Sequence, residues 1–166
     1  MQDGTANLLG ALGLAVADRI ERVARDVMDR AGQTPAALVV IGYGRGPSND
    51  RLRRVLDLSH PGAVRLVDRL VADGLVERRR GADRRKVALY LTDAGQAKRE
   101  ALLAGRLSAM EPLVSALDPE QCEQLDTLLR QMLASLPLRD LDKQRLCRLC
   151  DDRVCDDCPI PADFKA

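Results

Sequence analysis

Four cysteines fall within twelve residues near the C-terminal end: Cys147, Cys150, Cys155 and Cys158, followed by Pro159. The spacing is C-x2-C-x4-C-x2-C-P. Two C-x2-C pairs this close can aim four thiolates at one centre. A donor set made only of cysteine selects Zn²⁺ or an iron–sulfur cluster. Structural zinc sites usually separate their two knuckles by roughly a dozen residues or more. Here four intervene, which favours the cluster. Reversible disulfides are the alternative use of the same thiols. Arg148 and Arg153 lie between the thiols and could offset cluster charge. The fifth cysteine, Cys122, lies on an apolar helical stripe and reads as a buried small hydrophobe.

A second constellation is made of arginines. The formal net charge is +1, yet residues 45–86 carry twelve basic and six acidic side chains, a net +6. Residues 118–166 carry seven basic and eleven acidic, a net −4. A near-neutral total therefore hides a basic middle segment, the electrostatic footprint of nucleic-acid binding. Only three aromatics, Tyr43, Tyr90 and Phe164, occur in the chain. That argues against a base-stacking platform for single strands and against a large aromatic-cored β-sandwich.

The elements that must position these residues follow from periodicity. A chain of 166 residues fits one domain with a small appendage. Leu8, Leu12, Ala15, Val16, Ile20, Val23 and Val27 predict a helix over 5–31 stopped by Gly32. Thr34-Pro35 predicts an N-cap and a short apolar helix through Ile41. Ser48 to Leu56 reads as a helix. After Asp57-Leu58-Ser59, a second helix with Pro61 in its first turn runs to Asp73-Gly74. Two short helices joined by a tight turn form a helix-turn-helix. The period then changes to two. Residues 75–78 and 86–91 predict a β-hairpin, with Val87, Leu89 and Leu91 on one face. Thr92 opens a helix to about Ser115 that Pro112 should end or kink. Asp118-Pro119-Glu120-Gln121 predicts a capping box for a last helix ending before Pro137. Residues 137–166 read as a polar, acidic, cysteine-rich tail. The fold class is mainly α with a small β-hairpin wing.

The run Leu66-Val67-Asp68-Arg69-Leu70, then Gly74-Leu75-Val76-Glu77-Arg78, then Asp83-Arg84-Arg85, then Leu91-Thr92-Asp93-Ala94-Gly95, closely resembles the MarR family of bacterial winged helix-turn-helix transcriptional regulators. The likeness is gap-free over about forty-five residues from Leu52 onward, and the flanking helices follow the family's order. It implies a domain over 1–136, with a DNA-binding lobe over about 34–91 and dimerisation helices over 5–31 and 92–136. It also implies a homodimer whose two lobes straddle a pseudo-palindromic duplex. The flanking helices carry more apolar surface than the small lobe can cover, in agreement. Half-sites would lie one helical turn apart.

On this reading the helix beginning near Pro61 enters the major groove and presents His60, Pro61, Gly62, Arg65 and Arg69. Arg65 is the candidate for a base edge, since a guanidinium can pair with guanine O6 and N7; a phosphate contact is the plainer alternative. Arg79, Arg80 and Arg84 would meet phosphate or the minor groove. Arg85 matches the family's wing arginine, and Asp83 the acid that orients it. Two departures stand out. Gly62 and Val64 replace the usual hydroxyl residues, and Asp57 replaces the turn glycine; Asp tolerates left-handed backbone.

The compact cysteine loop is similar in layout to the cluster loop of MerR-type superoxide-sensing regulators and to the ferredoxin run ending in Cys-Pro. The leading expectation is a cytoplasmic, homodimeric regulator of transcription in which Cys147, Cys150, Cys155 and Cys158 hold an iron–sulfur cluster. The cluster would sense redox state, oxygen or iron, and act on the dimer through the last long helix. The alternative keeps the DNA-binding regulator, with structural zinc and a small-molecule effector. An electron-carrier or metal-handling protein is the reading from another class. No apolar run reaches membrane length, no secretory segment opens the chain, and no phosphate loop or carboxylate pair suggests an enzyme.

Overall fold

Leucine, valine and alanine at helical spacing build the fold around one very apolar segment. The computed structural model describes residues 2–29, 32–43, 46–80, 87–154 and 158–160. Helix α1 spans Gln2–Met28. It ends at Asp29, in left-handed backbone with φ 54°, before the expected stop at Gly32. Helix α2 spans Thr34–Gly42 and buries every side chain from Thr34 to Ile41. A helix apolar all round belongs inside a core. Thr34 is not its cap: Gln33 occupies that position without a side-chain bond, and Thr34 lies buried in the first turn.

Helix α3 spans Asn49–Leu56, with Ser48 Oγ accepting from Arg51 N at 3.2 Å. Its amphipathic face buries Leu52, Val55 and Leu56. Asp57 closes it in left-handed backbone, φ 55° and ψ 47°, so the turn survives without glycine. Helix α4 spans His60–Ala72 behind the Ser59 cap and buries Ala63, Leu66, Val67 and Leu70. Gly74, at φ 69°, turns the chain into β1 (Val76–Arg80), which pairs antiparallel with β2 (Val87–Leu91) from Val76 opposite Leu91 to Arg80 opposite Val87. The expected one-sided alternation is only partly met: Leu89 is buried but Val87 is exposed, and Ala88 on the other face is buried too. The reason is the loop before α3, whose Pro47 carbonyl accepts from Leu89 N at 3.1 Å and covers that second face.

Helix α5 spans Asp93–Val114, capped by Thr92. Pro112 sits in its last turn, and the helix ends two residues later. Helix α6 spans Pro119–Ala134 with the capping box of Asp118 and Gln121 formed. No α6 side chain is buried, and Cys122 is only half-buried because α6 has little of this chain beneath it. The main correction lies in the tail. Residues Asp140–Cys147 form a further helix, α7, which packs on α3. Leu141 and Leu149 pack against the core, and Gln144 and Ile160 are buried.

Candidate functional site

The N-terminus of α4 is capped and open to solvent. Ser59 Oγ accepts from Gly62 N at 3.2 Å, and Pro61 presets the first turn. His60, Pro61, Arg65 and Arg69 are exposed, and Gly62 is half-buried. Pro61, Arg65 and Arg69, at spacings of four, lie on one side of the helix, opposite the buried Ala63, Leu66, Val67 and Leu70. Among the described residues, Arg65 and Arg69 have no intramolecular partner, so both guanidinium groups are free for a ligand. Asp68, between them, instead pairs with Arg78 and ties α4 to the hairpin. Arg79 is also engaged: it pairs with Glu77 and lies over the Tyr90 ring at 5.1 Å. Arg80 is exposed at the end of β1. Asp83, Arg84 and Arg85 lie outside the described residues.

The hairpin is fixed to α5 by one hydroxyl and one glycine. Thr92 Oγ1 donates to Gly74 O at 2.6 Å and accepts from Gly95 N at 3.1 Å. A Cβ on Gly95 would stand 1.9 Å from Leu75 O. The Leu-Thr-x-x-Gly run therefore has a local cause: a cap, a bridge and a place where only glycine fits.

The cysteine loop lies against the lobe. Tyr43 at the end of α2 donates its hydroxyl to Cys147 O at 2.8 Å and to Cys150 O at 2.7 Å. Burial, reinforced by the nearby thiols and Asp152, pushes that hydroxyl well above the ordinary tyrosine range, so it stays a donor. Arg99 is buried in α5 with its guanidinium over the Tyr43 ring at 5.5 Å. It fits there because Gly42 has no side chain; a Cβ on Gly42 would lie 2.1 Å from Arg99 Cδ. Arg153 bridges Glu100 and Asp151 at 2.8 Å each. That contact holds the Asp151 carboxyl below its usual range.

Three thiols of the motif can be placed. Cys150 N donates to Cys147 O at 2.9 Å and closes the first C-x2-C pair. The neighbouring Cys147 thiol, with Arg106 assisting, brings the Cys150 thiol down to about 6 against the effect of burial; the same pairing, with burial, raises Cys147. Cys147 and Cys158 both turn to Ile160 O, at 3.9 and 3.2 Å. Among the described residues, no three such donors gather tightly enough to hold a metal ion, and Cys155 lies outside them. A cleft of about 430 Å³ opens beside the loop, between Ile20, Ala24, Pro35, Arg106, Arg148 and Leu149.

The sequence reading missed Tyr43, Arg99, Arg145 and Arg106. Tyr43 carried a signal, as one of three aromatics in the chain. The arginines carried none, because each is made specific only by what folds against it.

Two stacked short helices, a capped recognition helix and an antiparallel hairpin define the winged helix-turn-helix class. The sequence profile of the MarR family matches residues 28–86. The HTH-type transcriptional repressor MdtR of Bacillus subtilis is 32% identical over 114 residues, covering 66% of this chain and 74% of MdtR. The chain belongs to the MarR family, whose members are transcriptional regulators rather than enzymes. Apo MarR from Escherichia coli superposes with a TM-score of 0.59 at 26% identity, over 75% of this chain and 96% of MarR. A variant of Staphylococcus aureus MepR bound to an oligodeoxyribonucleotide superposes with a TM-score of 0.61 at 22% identity, over 79% of this chain and 96% of MepR. No described helix is long and apolar enough to cross a membrane.

Proposed function

We propose that the chain is a homodimeric regulator that binds a pseudo-palindromic duplex and carries a thiolate-ligated metal centre in its C-terminal loop. The observation that carries the DNA reading is the exposed side of α4, where Arg65 and Arg69 have no partner among the described residues and follow a capped helix N-terminus. Backbone N–H groups and arginines at such an end suit phosphate and base edges. The likeness to an oligonucleotide-bound MepR variant supports the same mode of approach. Dimerisation is supported by Leu8, Leu14, Leu128 and Met132, which are 70, 72, 55 and 42% exposed on α1 and α6. Apolar surface of that extent marks an interface.

For the metal centre, the donor chemistry is the support. Cys147 and Cys150 are joined by a backbone hydrogen bond of 2.9 Å, Cys158 shares Ile160 O with Cys147, and Cys155 completes the motif. Four thiolates suit an iron–sulfur cluster or zinc, with the compact spacing favouring the cluster. Such a centre would let the regulator report redox state, oxygen or iron supply. Anaerobic purification with a visible spectrum and iron and zinc analysis tests this. A brown, iron-loaded protein is expected. A colourless protein loaded with zinc would overturn the redox version, and one free of both metals the centre itself. Duplex affinity must also fall steeply with salt.

A second reading rests on the cleft. Arg106 and Arg148 set two cations against one carboxylate, Glu21, in a cleft otherwise walled largely by apolar side chains, a fit for a small organic anion as effector beside structural zinc.

A further inference from the structure

The cysteine loop and the helix leading into it are attached to the helix-turn-helix lobe of their own chain, and one of the attachments reaches the turn between α3 and α4. Arg145 of α7 donates to Arg54 O through Nε and Nη2 at 3.4 and 3.3 Å. Its Nη2 also meets Asp57 Oδ1 at 2.9 Å. Arg54 O also accepts a long bond from Asp57 N at 3.4 Å, so the Arg145 cation adds a second donor to it and faces the negative end of the α3 dipole. Two residues beyond Arg145, Cys147 begins the first C-x2-C pair. Tyr43 holds the carbonyls of both members of that pair.

Asp57 carries a second, independent indication. Its backbone is left-handed, a conformation glycine adopts at least cost. A carboxylate at this position is therefore a conformational burden, and its visible use is to hold Arg145. An exposed ion pair alone contributes little. Here it is backed by Leu141, Gln144 and Leu149 packed into the lobe.

We propose that Arg145, Asp57 and Tyr43 form a latch through which the state of the cysteine loop sets the pose of the recognition helix within one protomer. The route passes through α7 and the α3–α4 turn, rather than through α6 and the spacing of the lobes. The latch rests on the cysteine loop being the sensing site, but not on which metal it holds. When the loop is intact, α7 is held down and the turn is clamped. When the thiols are blocked, the helix leading into them is displaced and Arg145 leaves Arg54 and Asp57.

The test uses the full chain with Cys122→Ala, so that only loop thiols react. Duplex affinity is measured before and after chelation and alkylation with N-ethylmaleimide. In this parent, alkylation should change the dissociation constant about fivefold or more, the scale of ordinary coupling between sites. In D57G, which keeps the turn conformation, the change should shrink to under about twofold. The untreated D57G protein should bind like the alkylated parent. Tyr43→Phe, which removes only the hydroxyl, should behave the same way. No response in the parent, or a full response in both D57G and Tyr43→Phe, overturns the latch. Iron and zinc are assayed in the same preparations. A parent free of both metals that still responds, with the response lost in the variants, refutes the metal centre and keeps the latch.

Discussion

Arg65 and Arg69 stand about one helical turn apart on the exposed side of α4, and in the proposed complex with duplex their positions imply different work. Arg65 is nearer the capped N-terminus, the end that contacts base edges when such a helix lies in the major groove. Arg69 is a turn further on, toward the backbone. Arg65→Ala should weaken binding to the preferred duplex by about 1–3 kcal/mol and relax discrimination at one base pair. Arg69→Ala should weaken all duplexes alike and reduce the slope of log affinity against log salt by about one. Fluorescence anisotropy with single-substitution duplexes over a salt series separates the two. Uniform loss in Arg65→Ala would make that side chain a phosphate contact. Arg79 illustrates how a sequence reading of charge is modified by folding. Its pairing with Glu77 and its place over Tyr90 leave less of it to offer a phosphate than its neighbour Arg80 has.

At the scale of elements, the joint between hairpin and α5 decides where the wing points. Thr92 caps α5 and bridges to Gly74 O, while Gly95 lets Leu75 O approach. Thr92→Val keeps the shape and removes both bonds, so it should cost about 1–2 kcal/mol of stability. Gly95→Ala forces a backbone carbonyl to move and should cost about 1–3 kcal/mol as overpacking does. Urea midpoints at an unchanged m-value measure both. A midpoint for Gly95→Ala equal to that of the parent would show that the joint yields. Element ends were harder to read than element existence. The left-handed Asp29 stops α1 where a downstream glycine was the visible signal. The tail helix α7 lacked a regular apolar period, and its order comes from burial on α3 and around Tyr43.

At the scale of the whole molecule, α1 and α6 leave apolar side chains uncovered, which the proposed dimer would bury. α6 buries none of its side chains, although its capping box is formed. Leu129→Glu, placing a charge on that uncovered face where Leu129 is 43% exposed, should convert the dimer to a monomer with an intact lobe. Sedimentation velocity reads the mass, and binding to a palindromic duplex should fall toward that of a single half-site. A stable dimer in Leu129→Glu would move the interface elsewhere. The same scale holds the cysteine loop, which lies across α2, α3 and α5 instead of trailing from α6.

The helix-turn-helix, hairpin and family were legible in the residues themselves, because caps, breakers and periods of two and 3.6 are local properties. So was the cysteine motif, since ligand spacing is local too. The exposure of Arg65 and Arg69 on α4 followed from helical geometry, and His60 and Pro61 are exposed beside them at the helix start. What only the tertiary structure decided is where the tail goes. Arg145 meeting Asp57, Tyr43 holding two carbonyls, and Arg99 lying over Gly42 join residues about 60 to 100 positions apart. No local pattern encodes such pairings. They arise when a small residue leaves room, a hydroxyl finds an unsatisfied carbonyl, and a buried cation finds an aromatic face.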